Sequence, residues 1–531
     1  MYTRGFATAL LLLAAVPALA ADYYVSPSGN DKQAGTASQP WKSIAQVNKN
    51  HYQAGDRILF RGGATFSGTL QFGNTSSGTA ANPIQLTSYG TGRATISAGT
   101  GAGLYVYNTA GFAISNLNFA GSGASKNAQA GISFYADQAG PVKFDTIRID
   151  SADIGGFGEG GIVIGSWAGM TGYTNVSITN TTVHDNGTAG IEMYAETSMS
   201  SVGYPHANIY VGHCQAYNNA GLAGTSGSSG SGIVIGSANG VVIERSLAYN
   251  NGANNTANGG PVGIWAYDSN NVTIQYNESH HNHTNSVTDG DGFDLDGGVT
   301  SSVMQYNYSH DNDGAGYLLA QYSGARPHNN NTIRYNISQN DGRKNGIGAI
   351  DLWNGGSGIQ SETIYNNTVF VAPAPASTRA ILFQSATTGV NVWNNILVTT
   401  GGVPVIDVAP GQSGLEFQGN DYWSSGAALT LRWNGGSYAS LAAWRSGTGQ
   451  EILSGGAVGF NLDPRLTAPG TGGSIDNPDA LSTLTAYRLL STSPMIGKGL
   501  SLPALFGINV GTVDYYGNTI PSGTGYNVGA N

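Results

Sequence analysis

The sequence predicts an all-β fold, a single-stranded right-handed parallel β-helix of about ten or more coils, on three observations. A strand-like pattern returns with a period near 30 residues, a second short strand ending in asparagine fills each period, and the composition is rich in glycine and poor in charge. The first pattern is a small residue, then apolar, variable, apolar, variable. It runs Gly103-Leu-Tyr-Val-Tyr, Gly131-Ile-Ser-Phe-Tyr, Gly161-Ile-Val-Ile-Gly, Gly190-Ile-Glu-Met-Tyr, Gly232-Ile-Val-Ile-Gly, Gly263-Ile-Trp-Ala-Tyr and Gly292-Phe-Asp-Leu-Asp. It continues as Gly316-Tyr-Leu-Leu-Ala, Ala349-Ile-Asp-Leu-Trp and Ala380-Ile-Leu-Phe-Gln. Successive side chains of a strand point to opposite faces, so the apolar pair faces a core and the variable pair faces out. Repetition of such a unit is the signature of a solenoid, in which each coil needs to cover only its neighbours.

The second strand reads Val272-Thr-Ile-Gln-Tyr-Asn277, Val303-Met-Gln-Tyr-Asn307, Thr332-Ile-Arg-Tyr-Asn336, Thr363-Ile-Tyr-Asn366 and Val390-Asn-Val-Trp-Asn394. Asparagine recurring at one coil position predicts a stacked ladder that satisfies buried turn groups. A buried ladder also argues against glycosylation at triplets such as Asn277-Glu-Ser.

Composition narrows the rest. The 80 glycines and 18 prolines of 531 residues stay below the roughly 25–30% of disordered or collagenous chains. Cys214 is the single cysteine, so the core, or a metal, must hold the fold without an internal disulfide. A net charge of −10 excludes the basic surface that nucleic acid requires and disfavours strongly anionic ligands.

Residues 1–20 read as an export signal: Arg4, an apolar run from Ala9 to Val16, and a small-x-small cleavage site at Ala18-Leu19-Ala20. The mature chain is expected from Ala21, secreted to the periplasm or the medium. No later stretch is long and apolar enough to span a bilayer, and a monomer is expected. The predicted organisation is signal (1–20), β-helix with an N-terminal cap (21–425, regular coils from about 55), and an irregular C-terminal capping segment (426–531).

The opening Tyr23-Tyr-Val-Ser-Pro-Ser-Gly-Asn-Asp, then Gly35-Thr, Gln39-Pro-Trp-Lys-Ser-Ile and Gly55-Asp-Arg-Ile-Leu-Phe-Arg-Gly-Gly, resembles the pectate-lyase-like β-helix superfamily. So do the period, the asparagines, and the tail segments Tyr438-Ala-Ser-Leu-Ala-Ala-Trp-Arg, Asp463-Pro-Arg-Leu and Tyr487-Arg-Leu-Leu-Ser-Thr-Ser-Pro-Met-Ile-Gly-Lys-Gly. The resemblance implies a capping helix around Ser43–Asn50 and a polysaccharide as partner. The superfamily hosts lyases, hydrolases, epimerases and adhesins, so it implies a class rather than a reaction.

The site is read from the outward columns. The first variable position gives Ser133, Val163, Glu192, Val234, Trp265, Asp294, Leu318, Asp351 and Leu382. The second gives Tyr135, Gly165, Tyr194, Gly236, Tyr267, Asp296, Ala320, Trp353 and Gln384. Charged residues are only 10% of the chain, yet carboxylates and aromatics gather in the middle of this face. Rings stack on the apolar faces of sugars and carboxylates move protons. Glu192, Tyr194, Trp265, Tyr267 and Trp353 are therefore expected to bind substrate. Asp294 and Asp351 fall two rungs apart, roughly 9–10 Å at strand spacing, within side-chain reach of the roughly 6.5–9.5 Å of an inverting glycosidase. Asp296, roughly 7 Å from Asp294 along the strand, is an alternative second acid, or a like charge that raises its neighbour's pKa.

Asp289 and Asp291 begin the densest acidic stretch. They are read as catalytic, as Ca²⁺ ligands, or as a tight polar turn; the cofactor is therefore none, or Ca²⁺. Loops beside a rigid scaffold supply binding groups, which makes His310 and Arg343 candidates for substrate contact. No close ligand triplet for zinc is evident. A polysaccharide hydrolase is the leading expectation. A lyase is the alternative; in this superfamily it takes a Lys or Arg base, often with Ca²⁺, and with no Lys in the acidic strand that role falls to Arg343 or Lys344. A carbohydrate-binding surface protein would keep the aromatic face and need no acid pair.

Overall fold

A computed structural model describes residues 20–531; the proposed export signal, but for Ala20, lies outside the described residues. The chain winds as a parallel β-helix of three sheets with 14, 13 and 14 strands in the order the chain visits them. Each coil visits the first, second and third sheet in turn. One coil is Asn270–Gln275, Glu278–His280 and Asp291–Leu295; the next is Val303–Gln305, Tyr308–His310 and Tyr317–Gln321. The solenoid runs beyond the predicted 55–425 at both ends. Asp22–Val25 already pairs in parallel with Arg57–Arg61, and Leu431–Trp433 still pairs in parallel with Ile406–Val408.

The predicted apolar positions form the core. In the third sheet Ile264, Phe293, Tyr317, Ile350 and Ile381 are in register, all within 1% of full burial. Burying such side chains contributes about 1.5–3 kcal/mol each. Phe293 and Tyr317 stack at 5.3 Å, and the Tyr317 hydroxyl donates to the Asn307 carbonyl at 2.8 Å, which satisfies its polar tip.

The asparagine ladder exists, with a shift of one residue in its later rungs. Each Nδ2 donates to the next Oδ1 from Asn277 to Asn307, Asn336, Asn367, Asn395 and Asn420, ending on Glu451, at 2.9–3.1 Å. Asn366 and Asn394, expected in the ladder, stand one position earlier, at φ 51° and 52°, where Tyr276, Tyr306 and Tyr335 stand in earlier coils. That turn needs a left-handed residue, which asparagine tolerates better than most. In an Asn-Asn pair, sequence alone does not say which member takes which place. A second ladder, not anticipated, runs Asn186, Asn219, Asn251, Asn282, Asn312 to Asp341 at the turn after the second sheet.

The N-terminal helix is Ile44–Val47, capped by the Ser43 hydroxyl. The C-terminal helix Leu441–Thr448 buries Trp444 against Phe417, Tyr422 and Trp433 and plugs the solenoid. The remaining residues then run back along the outside of the second sheet. Asp479 accepts from Arg245 at 2.7 Å, the Ile475 amide donates to Glu278 at 2.6 Å, and the Tyr487 hydroxyl donates to Gln339 at 2.7 Å. The tail therefore covers a flank as well as an end.

Candidate active site

The outward columns are in the predicted register. Trp265 pairs with Asp294, Asp294 with Leu318, Leu318 with Asp351, and Asp351 with Leu382. Outward, however, does not mean exposed. Asp294 is 3% and Asp351 0% exposed. Leu318 and Ala320 also point outward, and with Ala315 and Ile347 they form a small apolar cluster outside the solenoid. Loops at 252–261, 283–290 and 342–347 rise around this cluster. They leave a cleft of about 650 Å³ whose lining includes Trp265, Asp289, Asp291, Asp294, Asp296 and Trp353.

Four of the predicted carboxyls therefore share one cleft. Asp289 accepts from the Gly260 amide and Asp291 from the Ala315 amide, one oxygen each. Asp291 Oδ2 and Asp294 Oδ1 are buried without a partner. Burial, then the charges of Asp296, Asp291 and Asp289, push Asp294 well above the carboxylate range. Burial and Asp289 do the same to Asp291. Asp296 is half-buried, accepts from the Gly297 amide at 2.6 Å, and is raised by burial. Desolvation and like charge both favour the neutral acid.

Asp351 is a correction. It stands two rungs from Asp294 as expected, but behind the wall rather than in the lining. Its Oδ2 accepts from the Gly348 amide at 2.8 Å and its Oδ1 from the Gln384 side chain at 3.1 Å. Burial pushes it up to about 7. Gln384, which does line the cleft, joins Asp351 to it through this hydrogen bond.

His310 and Arg343 are corrected as well. His310 belongs to the second sheet and is buried between His280 and Tyr308, ring centroids 4.6 Å from each, with Glu278 and Asp311 at its nitrogens. Arg343 donates to the carbonyls of Ala372 and Pro373, and Lys344 to that of Thr284. Backbone acceptors absorb these loop cations before a ligand can. Glu278, His280 and His310 bring ligand-type atoms within 4.8 Å of one another, a grouping that sequence spacing did not suggest. The two imidazoles are stacked 11° from parallel, so their in-plane lone pairs do not converge on one ion, and the group reads as packing beneath the C-terminal segment.

Glu192 and Tyr267 line a depression of about 280 Å³ that shares Ser228 and Trp265 with the acid cleft. Tyr194 stands beside Glu192 on the same strand, half-buried. Tyr322 and Asn345, also in the lining, were missed. Tyr322 continues the alternation one step past Ala320 and was within reach of the same reasoning; Asn345 sits in a loop, where no periodicity marks it.

The molecule is a parallel β-helix with an acidic, aromatic cleft on one sheet. No family model matches the chain. A 71-residue stretch is 47% identical to the pectate lyase PEL9 of Emericella nidulans, covering 13% of this chain and 17% of that one. An 83-residue stretch is 41% identical to the lacto-N-biosidase of Bifidobacterium longum subsp. longum, covering 16% of this chain and 4% of that one. The chain thus matches less than a fifth of either relative's length. Among solved structures, the GH136 lacto-N-biosidase from Eubacterium ramulus superposes with TM-scores of 0.50 and 0.51 in its native and selenomethionine forms, at 19% identity. The match spans 75% of this chain and 68% and 67% of those chains, a likeness of fold. The parallel β-helix fold that the sequence predicted is borne out.

Proposed function

We propose that the chain is a secreted glycoside hydrolase that cuts an uncharged polysaccharide, with Asp294 as the general acid and Asp296 as the partner carboxylate. One observation carries the reading. The described residues lining the cleft and its neighbouring depression include five carboxyls and no Lys, Arg or His. Glycosidic cleavage needs one carboxylic acid held neutral to protonate the leaving oxygen, and one carboxylate to activate water or attack the sugar. Asp294, the more buried of the pair, suits the first role; Asp296, more accessible and hydrogen-bonded as an acceptor, suits the second. Trp265 and Trp353 offer apolar faces at the two ends of the acid cluster.

A lyase acting on a uronic polymer is the second reading. It is favoured by the free oxygens of Asp291 and Asp294 beside Asp289, hard donors that suit Ca²⁺. Bound there, Ca²⁺ would neutralise the carboxyl cluster and a substrate carboxylate. The base would still have to come from beyond the lining, since Arg343 and Lys344 are held by backbone carbonyls. A panel of neutral and uronic polysaccharides, assayed with and without chelator, separates the readings: new reducing ends alone mark a hydrolase, and unsaturated products a lyase.

A further inference from the structure

The outward face continues past the acids toward the N-terminal end of the solenoid, and its aromatics are seated by glycines. Gly165 is in register with Tyr194, and Gly236 with Tyr267. A Cβ at Gly165 would lie 2.3 Å from Tyr194 Cζ, and one at Gly236 would lie 2.2 Å from Tyr267 Cζ. Each tyrosine ring is therefore folded down over the bare backbone of the preceding coil. Any other residue at either glycine would lift the ring away from the sheet.

Met193 pairs with Ile235 and Ile235 with Ala266, which sets the two tyrosines two rungs apart, roughly 10 Å. Trp167 meets Tyr194 edge-on at 6.3 Å and is 56% exposed, a large apolar surface left to solvent. Trp265 and Tyr267 lie 5.4 Å apart, and the Trp265 indole N–H is fixed by Ser231 Oγ at 3.1 Å. The depression between them holds Glu192 and two serines and opens into the acid cleft through Ser228 and Trp265.

We infer that Trp167, Tyr194, Tyr267 and Trp265 form a binding track for an uncharged glycan chain lying along the helix axis, with Glu192 as its hydroxyl-binding group and Gly165 and Gly236 as positioning residues. The inference rests on the glycan-cleaving reading of the acid cleft. Rings alternate with polar groups along the track, as a sugar chain alternates apolar ring faces with hydroxyls. Among the described residues, none that lines the depression is a cation that could hold a carboxylate or sulfate. The track extends at least three rungs from Asp294, roughly 14 Å, so it serves a chain with several units on that side of the cut rather than a terminal sugar.

The test uses the full mature chain and four probes: xylan, laminarin and galactan as neutral polymers, with polygalacturonate as the charged control. Retention in polymer-containing native gels is measured for wild type, Asp294→Asn, Tyr194→Ala, Trp167→Ala and Gly236→Ala, each checked for an unchanged melting transition, with Tyr194→Phe as the conservative control. The expected result is retention by a neutral polymer that falls at least tenfold in Tyr194→Ala, Trp167→Ala and Gly236→Ala and persists in Asp294→Asn and Tyr194→Phe. On that polymer the track variants raise KM by a larger factor than they lower kcat. Retention unaltered by the track variants, retention by polygalacturonate alone, or no retention by any polymer overturns the track. Wild-type turnover in Asp294→Asn with retention intact overturns the catalytic reading and leaves the track standing.

Discussion

Trp265 and Asp294 are register partners on adjacent coils, so the indole walls the N-terminal side of a carboxyl that is 3% exposed and has one oxygen without a partner. An unpartnered polar atom in such a place is costly, on the order of 1–3 kcal/mol. The same atom becomes useful when the job is to hold a proton for a substrate.

Asp296→Asn should lower turnover by about 10²–10⁴ when the residue supplies the carboxylate, with little change in melting temperature. Asp351→Asn should cost less, because Asp351 is joined to the cleft only through the Gln384 side chain. Steady-state kinetics of the two variants on one substrate checks the order. Equal losses would put Asp351 in contact with the substrate.

Trp265→Ala should weaken substrate binding by roughly 1–3 kcal/mol and should also lower the pKa of Asp294 by letting water in. The alkaline limb of the pH–activity profile should then move to lower pH. A profile that keeps its position would show that the indole does not desolvate the acid.

Buried carboxyls make stability depend on pH with a definite sign. Burial raises Asp351 to about 7, Asp341 to about 6 and Asp421 to about 8. A raised carboxyl contributes stability that is complete below the unfolded pKa near 4 and is lost as pH rises through its folded value. The melting temperature should therefore fall between about pH 4 and pH 8. Asp421 lies far from the cleft in the strand Asp421–Ser425, with one oxygen unpartnered. Asp421→Asn should restore on the order of 2–5 kcal/mol at pH 8 and leave activity alone. Thermal melts across this range check both the slope and the variant.

Calcium should raise the melting temperature if it occupies the free oxygens beside Asp289 and Asp291, since a ligand bound only to the folded form stabilises it by mass action. The effect should vanish in Asp291→Asn and grow from pH 5 to pH 7 as the cluster gives up protons. Calorimetry and melts with chelator, unchanged at both pH values, would remove the cation from the account.

Alternation made the fold and the outward columns legible, because strand side chains obey a period of two wherever a core enforces it. Asp294, Asp296, Trp265 and Trp353 were found that way and do meet in one cleft. What alternation could not give was depth. The apolar outward residues Leu318 and Ala320, and the loop bearing Ile347, turn an apparent surface into a buried one, and so hide Asp351. Loop residues follow no period, which is why Arg343 was misplaced and Asn345 was missed; His310 was read as a loop residue but lies in the strand Tyr308–His310. The shift from Asn366 to Asn367 in the ladder has the same origin: a turn that needs one left-handed residue before its hydrogen-bonding asparagine can be read two ways when both are asparagine.

The measurement that bears most directly on the acid cleft is single-site and two-channel. Wild type and Asp294→Asn are incubated with a neutral polysaccharide and with a uronic one, and both reducing ends and unsaturated-product absorbance are followed. With Asp294 as the general acid, the expected result is reducing ends from the neutral polymer, no unsaturated product from either, and a loss of about 10²–10⁴ in rate in Asp294→Asn. Unsaturated product from the uronic polymer, formed at an undiminished rate by Asp294→Asn, would contradict it.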